Sequence, residues 1–224
     1  MNILVWLLQN HFMDMRDISI DMEKELRKLN DDLLKGCRLT QEAISKTSSV
    51  LMCFDAQKIQ EITDNNKKIG IHCVAFGKHF SGIIEQYKPE NLVLKLLSSG
   101  VGIYVELKEI SGLTVGIAKS LSNLDAGIPE RYKINISQFA KIFQNITWDS
   151  VISFLKQDTE LARKTILASL ELKKICKRAQ EDLLGADRMS ESATKSNVAL
   201  LFIIQCIEDI AVHTVNIAQH VTCL

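Results

Sequence analysis

Two side chains near the C-terminus have the types and spacing for chemistry: Asp209 and His213, four residues apart in Ile203–Val221. On a helix, residues at that spacing are neighbours. Either side chain can ligate zinc or iron, but two ligands are too few for a structural tetrahedral site. The pair is therefore read first as a helical Asp–His hydrogen bond. A ferritin-like di-iron centre would need glutamates on four helices and two E-x-x-H motifs, and no E-x-x-H occurs in the chain. His72 and His79, seven apart on one face, read as ordinary partly buried or surface histidines. Gly100-Val101-Gly102 has no strand before it and no phosphate-loop context, so it carries no cofactor meaning. No nucleophile–base pair, P-loop or dinucleotide fingerprint is present, and the reading is a protein that is not an enzyme.

The element that positions Asp209 and His213 is an amphipathic helix. Ile203, Ile207, Ile210, Thr214, Ile217 and Val221 recur in alternating steps of four and three, one seam on one helix face. The same seam stands one hundred positions earlier, at Ile103, Leu107, Ile110, Thr114, Ile117 and Leu121. Ile110/Ile210, Thr114-Val115/Thr214-Val215 and Ile117-Ala118/Ile217-Ala218 are identical between the copies. An internal duplication follows.

The rest of the chain fits that duplication. Asp17 to about Met52 reads as a long helix carrying Ile18, Met22, Leu26, Leu29, Leu33, Cys37 and Ile44, with Gly36 a single flaw costing roughly 1 kcal/mol relative to alanine. Asp55 is placed to cap a second helix, which must end near Tyr87-Lys88 because the residue before a proline avoids the α region. Pro89 is expected in the first turn of a third helix that runs to about Leu121. The turn-rich Asn123–Pro129 divides the halves. In the second half a helix reaches about Leu155, Asp158 caps another that runs to Leu184 with Gly185 as its C′ residue, and the last starts near Ser190. The predicted fold is all-α: two tandem antiparallel three-helix bundles. The expected divisions are an apolar extension over 1–16, a first repeat over 17–124, a linker over 125–131 and a second repeat over 132–224.

Composition sets further bounds. Twenty-seven basic residues balance twenty-seven acidic ones, whereas a nucleic-acid binder needs a basic face. The six cysteines show no C-x-x-C pair and no zinc-type spacing, and are read as reduced core residues of a cytosolic protein. Met1–Leu8 is apolar but lacks a basic flank and a cleavage site, and is too short to span a bilayer, which takes about 20 residues. Its expected role is packing against the bundle or a partner. Gly112 and Gly116, with Ser111, form a small-residue strip on the third helix, expected to admit a neighbouring helix closely, so that Gly112→Leu would overpack.

The run Cys206–Ala218 resembles the signature of the PhoU family, L-E-R-I-G-D-H-A-x-N-I-A, matching at Glu208, Ile210, His213, Asn216, Ile217 and Ala218. The first copy matches at Leu107, Ile110, Ile117 and Ala118. Pro89 followed by Val93-Leu94-Lys95, and Asp158-Thr159-Glu160-Leu161-Ala162, resemble further family motifs. The resemblance runs from about Asp17 to the end. It implies a cytoplasmic, non-enzymatic regulator of phosphate uptake and phosphate-responsive signalling. The implied partners are a phosphate-sensing histidine kinase and the ATPase of the phosphate ABC transporter. A homodimer is implied too, with no nucleic acid and with membranes reached only through partners.

The resemblance also implies multinuclear metal sites, in which an E-x-x-x-D on each copy sets two carboxylates on one helix face. Here Lys108 and Gly112 replace both acids of the first copy, and Val212 replaces the second acid of the other, leaving Glu208. The acidic position of the second helix falls near Ser169 in one half and Asn65 or Asn66 in the other. No cofactor is assigned. Glu208, Asp209 and His213 are the remaining candidate ligands for a divalent or iron-type ion, and the alternatives to a phosphate regulator are a metal-storing bundle and a diverged helical interaction protein.

Overall fold

The computed structural model describes residues 19–89, 91–124, 128–185 and 191–222. The described residues form six helices: α1 (Ile20–Met52), α2 (Ala56–Tyr87), α3 (Asn91–Ser122), α4 (Glu130–Lys156), α5 (Thr159–Gly185) and α6 (Glu191–Thr222). No strand occurs among them. The apolar segment 1–16 lies outside the described residues.

Local chemistry sets the helix ends. Ser19 accepts from the Met22 amide at 3.2 Å and opens α1. Asp55 opens α2, its Oδ1 accepting from the Gln57 and Lys58 amides at 3.0 and 3.1 Å. Asp158 opens α5, accepting from the Leu161 amide at 2.9 Å. Each short acceptor satisfies N–H groups that the first turn leaves unpaired. Two helices stop on a left-handed residue other than glycine, Lys88 at φ 47° and Gln157 at φ 53°. Lys88 is held out of the right-handed region by Pro89, and the Gln157 amide side chain donates to the Phe154 carbonyl at 2.8 Å.

Two boundaries differ from expectation. Pro89 lies outside α3, which begins at Asn91, because the left-handed Lys88 turns the chain first. Gly185 is the last residue of α5 rather than the residue after it.

Within the first half α1 packs on α2 and α3, and α2 on α3; in the second, α4 packs on α5 and α6, and α5 on α6. The halves join through α1 against α4 and α3 against α6. α2 and α5 are thus the outer helices, and α1, α3, α4 and α6 share one continuous apolar core. Both predicted seams lie in it: Ile103, Leu107, Ile110 and Ile117 on α3, and Ile203, Ile207, Ile210 and Ile217 on α6, are all completely buried. Thr114 and Thr214 are buried in the same rows because each hydroxyl returns to its own helix, to Ser111 O at 2.7 Å and Ile210 O at 2.8 Å.

α6 is apolar and long enough to cross a bilayer over Lys195–Thr222, and here that hydrophobicity supplies the central core. Gly36 is not a passive flaw. A Cβ there would come within 2.7 Å of Tyr104 Cζ, so the missing side chain makes the slot that the buried Tyr104 ring fills. Tyr104 also packs on Phe76, with ring centroids 4.6 Å apart.

Candidate functional site

The seam between α3 and α6 brings together side chains distant in sequence. The two helices run antiparallel: Gly102 meets His220, Glu106 meets His213 and Asn216, and Gly116 meets Cys206 and Phe202. With the one-hundred-residue duplication, this makes the seam pseudo-twofold, since Gly116 on Cys206 is the counterpart of Asn216 on Glu106.

The polar residues gather on one side of that axis. His213 Nδ1 lies 2.6 Å from Glu106 Oε2, and Asn216 Nδ2 donates to the same oxygen at 3.2 Å. A carboxylate can only accept, so the imidazole proton facing it is on Nδ1. The Glu106 and His213 side chains are 18% and 25% exposed, shielded enough for a charge-assisted bond to outweigh a typical surface pair. One turn further along, the imidazole of His220 lies over Gly102. Burial lowers the pKa of His220 and the nearby Glu106 carboxylate opposes that shift.

The expected Asp209–His213 hydrogen bond gives way to this arrangement. His213 turns across the seam to Glu106, and Asp209 accepts from Gln205 Nε2 at 2.9 Å on its own helix. Sequence reading missed Glu106. Its partner lies 107 positions away, and nothing in the sequence around it marks that pairing.

One histidine of α2, His79, does more than expected. His79 Nε2 lies 2.9 Å from Glu25 Oε2 and its Nδ1 3.5 Å from Asp32 Oδ2, so it ties α2 to α1. Burial pushes the thiols of Cys37 and Cys176 up to about 12 and that of Cys206 up to about 11, which keeps them protonated and unreactive. Cys53 departs from the core pattern and is exposed, and Cys223 lies outside the described residues.

The residues at the implied metal positions do not fit a cation cluster. Lys108 is exposed, with its ammonium on Glu109 Oε1 at 2.9 Å, and Val212 is 37% exposed at the place of an acid. Ser169 is buried and donates to Thr165 O at 2.8 Å, and Asn65 is buried. Glu208, the surviving acid, lies close enough to Cys176 to raise its pKa. Among the described residues, no group of three or more His, Cys, Asp or Glu side chains could hold a metal ion. Nor does the Gly112 strip work by close packing: among the described residues nothing approaches a Cβ on Gly112, which is exposed, whereas one on Gly116 would meet Cys206 Sγ at 3.2 Å. The close approach is displaced one turn because Gly112 faces away from α6.

In architecture the chain is an all-α scaffold of six helices, with a polar cluster at the junction of its halves. Residues 136–221 match the PhoU domain family model. A phosphate-specific transport system accessory protein PhoU homolog from Aquifex aeolicus is 29% identical over 143 residues, 64% of this chain and 65% of that protein. The fold superposes on PhoU from Pseudomonas aeruginosa with a TM-score of 0.84 at 18% identity, covering 89% of this chain and 96% of that one. It superposes on the phosphate transport system regulatory protein PhoU from Streptococcus pneumoniae with a TM-score of 0.80 at 19% identity, covering 90% and 95%. Residues 136–221 thus resemble the PhoU domain, and the fold of the chain is that of the two PhoU structures.

Proposed function

We propose that this chain is a cytoplasmic accessory regulator of phosphate transport. It acts by protein contacts with the transporter ATPase and with a phosphate-sensing histidine kinase, as a homodimer and without chemistry of its own. The observation that carries the reading is the likeness to PhoU along nine-tenths of the chain, which reaches both halves although the family model matches only the second. A curated relative whose name places it in a phosphate-specific transport system supports the same role. Regulation of this kind is a coupling between binding sites: the protein binds one state of a partner better than another and shifts its population. Co-purification of the tagged full-length chain with the cognate kinase and transporter ATPase tests the reading. Retention of either at a stoichiometric level is expected, and recovery of neither from phosphate-replete cells contradicts it.

A second reading has its own observation. Lys108, Gly112 and Val212 stand where the family's acids are expected, and the first seam keeps few of the signature residues. This favours a scaffold that retains the fold and has exchanged its partners. In that case the chain folds, neither phosphate partner is recovered, and the phosphate response is unaffected by its deletion.

A further inference from the structure

The hundred-residue offset relates α2 to α5 as well as α3 to α6. Ile62, Asn65, Ile69, Phe76 and Ile83 are buried on α2, and Ala162, Thr165, Ser169, Cys176 and Leu183 are buried on α5. The two bundles can therefore be compared position by position, and one interior site differs. In the first bundle His79 of α2 reaches α1, with Nε2 2.9 Å from Glu25 Oε2 and Nδ1 3.5 Å from Asp32 Oδ2. Beside it the buried Tyr104 ring fills the slot left by Gly36. At the equivalent positions of the second bundle stand Ala179 for His79, Tyr132 for Asp32, Ile204 for Tyr104 and Ile136 for Gly36. Those residues border a pocket of about 210 Å³ between α4, α5 and α6. Its floor is apolar, made by Ile136, Phe139, Leu183, Leu200 and Ile204, all buried. Asn135 and Asp182 border it as exposed residues, and Asp182, where the first bundle has Gly82, is the one charged side chain in the lining. Among the described residues no ion pair engages Asp182.

We propose that this pocket binds a small organic cation, an aromatic ring carrying a protonated amine. The floor removes the ring from water, and the few polar groups at the edge fix its orientation, the usual division of labour in a small-molecule site. Size agrees with this: an apolar cavity of about 150 Å³ takes up benzene, and the larger pocket here has room for a ring with a short substituent. Charge selects among rings. The Asp182 carboxylate takes a charge-assisted hydrogen bond from an ammonium and repels an anion, so phosphate is not the ligand of this site. The first bundle meets the same need from its own chain, with the nitrogen-bearing ring of His79 set between the carboxylates of Glu25 and Asp32. In the second bundle the carboxylate has moved to α5 and Ala179 brings no ring, so the ring comes from outside. The site is separate from the Glu106 cluster and does not depend on the phosphate role.

The test titrates the full chain with three probes of one shape: phenethylammonium, neutral phenylethanol and anionic phenylacetate. Calorimetry reads affinity, and amide chemical shifts on α4, α5 and α6 read the place. One saturable site per chain is expected, binding phenethylammonium about threefold or more tighter than phenylethanol, as suits a carboxylate at the surface, with phenylacetate weakest. Asp182→Asn should cancel the preference for the amine and leave phenylethanol binding unchanged. Ala179→His restores the residue of the first bundle and should abolish binding of both. Asp182 is exposed, so its variant tests the charge even if Ala179→His fails to fold. No saturable binding of phenethylammonium, equal affinity for the three probes, a preference that survives Asp182→Asn, or undiminished binding to folded Ala179→His overturns the proposal.

Discussion

His220 sits directly over Gly102: a Cβ on that glycine would fall 2.6 Å from the imidazole Nε2 and Cε1. A half-buried histidine on α6 therefore depends on the absence of a side chain on α3, across the junction of the two halves.

Gly102→Ala should cost about 1–3 kcal/mol, because the methyl must displace a ring packed into the seam. Gly112→Ala should instead raise stability by about 0.5–1 kcal/mol, since the position is exposed, helical and free of neighbours. Urea unfolding midpoints of the two variants check the contrast, and a loss of stability in both would contradict it.

Acid should weaken the fold through His220. Its pKa is lowered in the folded protein, so the unfolded chain binds the proton more tightly. The contribution is complete above the ordinary histidine value of 6.5 and is lost as pH falls below that value toward the folded pKa. Wild type should lose more thermal stability than His220→Gln between pH 7.5 and 5.5, and parallel melting curves would contradict this. Glu106, the carboxylate that opposes the shift, should make the wild-type loss steeper when replaced by glutamine.

Tyr104→Phe should be neutral or mildly stabilising. Among the described residues the buried Tyr104 hydroxyl has no hydrogen-bond partner, so its removal relieves a desolvation cost of about 1–3 kcal/mol at the expense of little packing. Gly36→Ala should destabilise by overpacking the same ring, and Tyr104→Leu should restore most of the loss. A double-mutant cycle on thermal melts reads the coupling; additivity would place the two residues out of contact.

Protein purified without chelators should carry less than one tightly bound divalent or iron-type ion per chain by elemental analysis. Lys108 repels a cation where one acid is expected, and Glu208 alone cannot bridge metals. One or more ions per chain, lost on Glu208→Gln, would contradict this.

The fold was legible because burial leaves a periodic trace. The isoleucine rows of α3 and α6, their hundred-residue offset, and the capping aspartates Asp55 and Asp158 are local patterns that each helix must satisfy for itself. The polar cluster was not legible in the same way. Glu106 and His213 are 107 positions apart, and nothing local to either says which helix it will face. Asp209 misled because its spacing from His213 is ideal on one helix, while the choice of partner depends on the angle at which a second helix crosses. Gly36 and Gly102 were read as propensity costs or as nothing, because a glycine made necessary by Tyr104 or His220 looks in sequence like any other.

The regulatory account is tested most directly in the parent cell. Transcription of the phosphate-uptake genes is measured under ample phosphate with the chain present, deleted, and restored in trans. Derepression on deletion and renewed repression on complementation are the predicted result. Expression that stays repressed in the deletion strain would contradict the account and leave the diverged scaffold as the better reading.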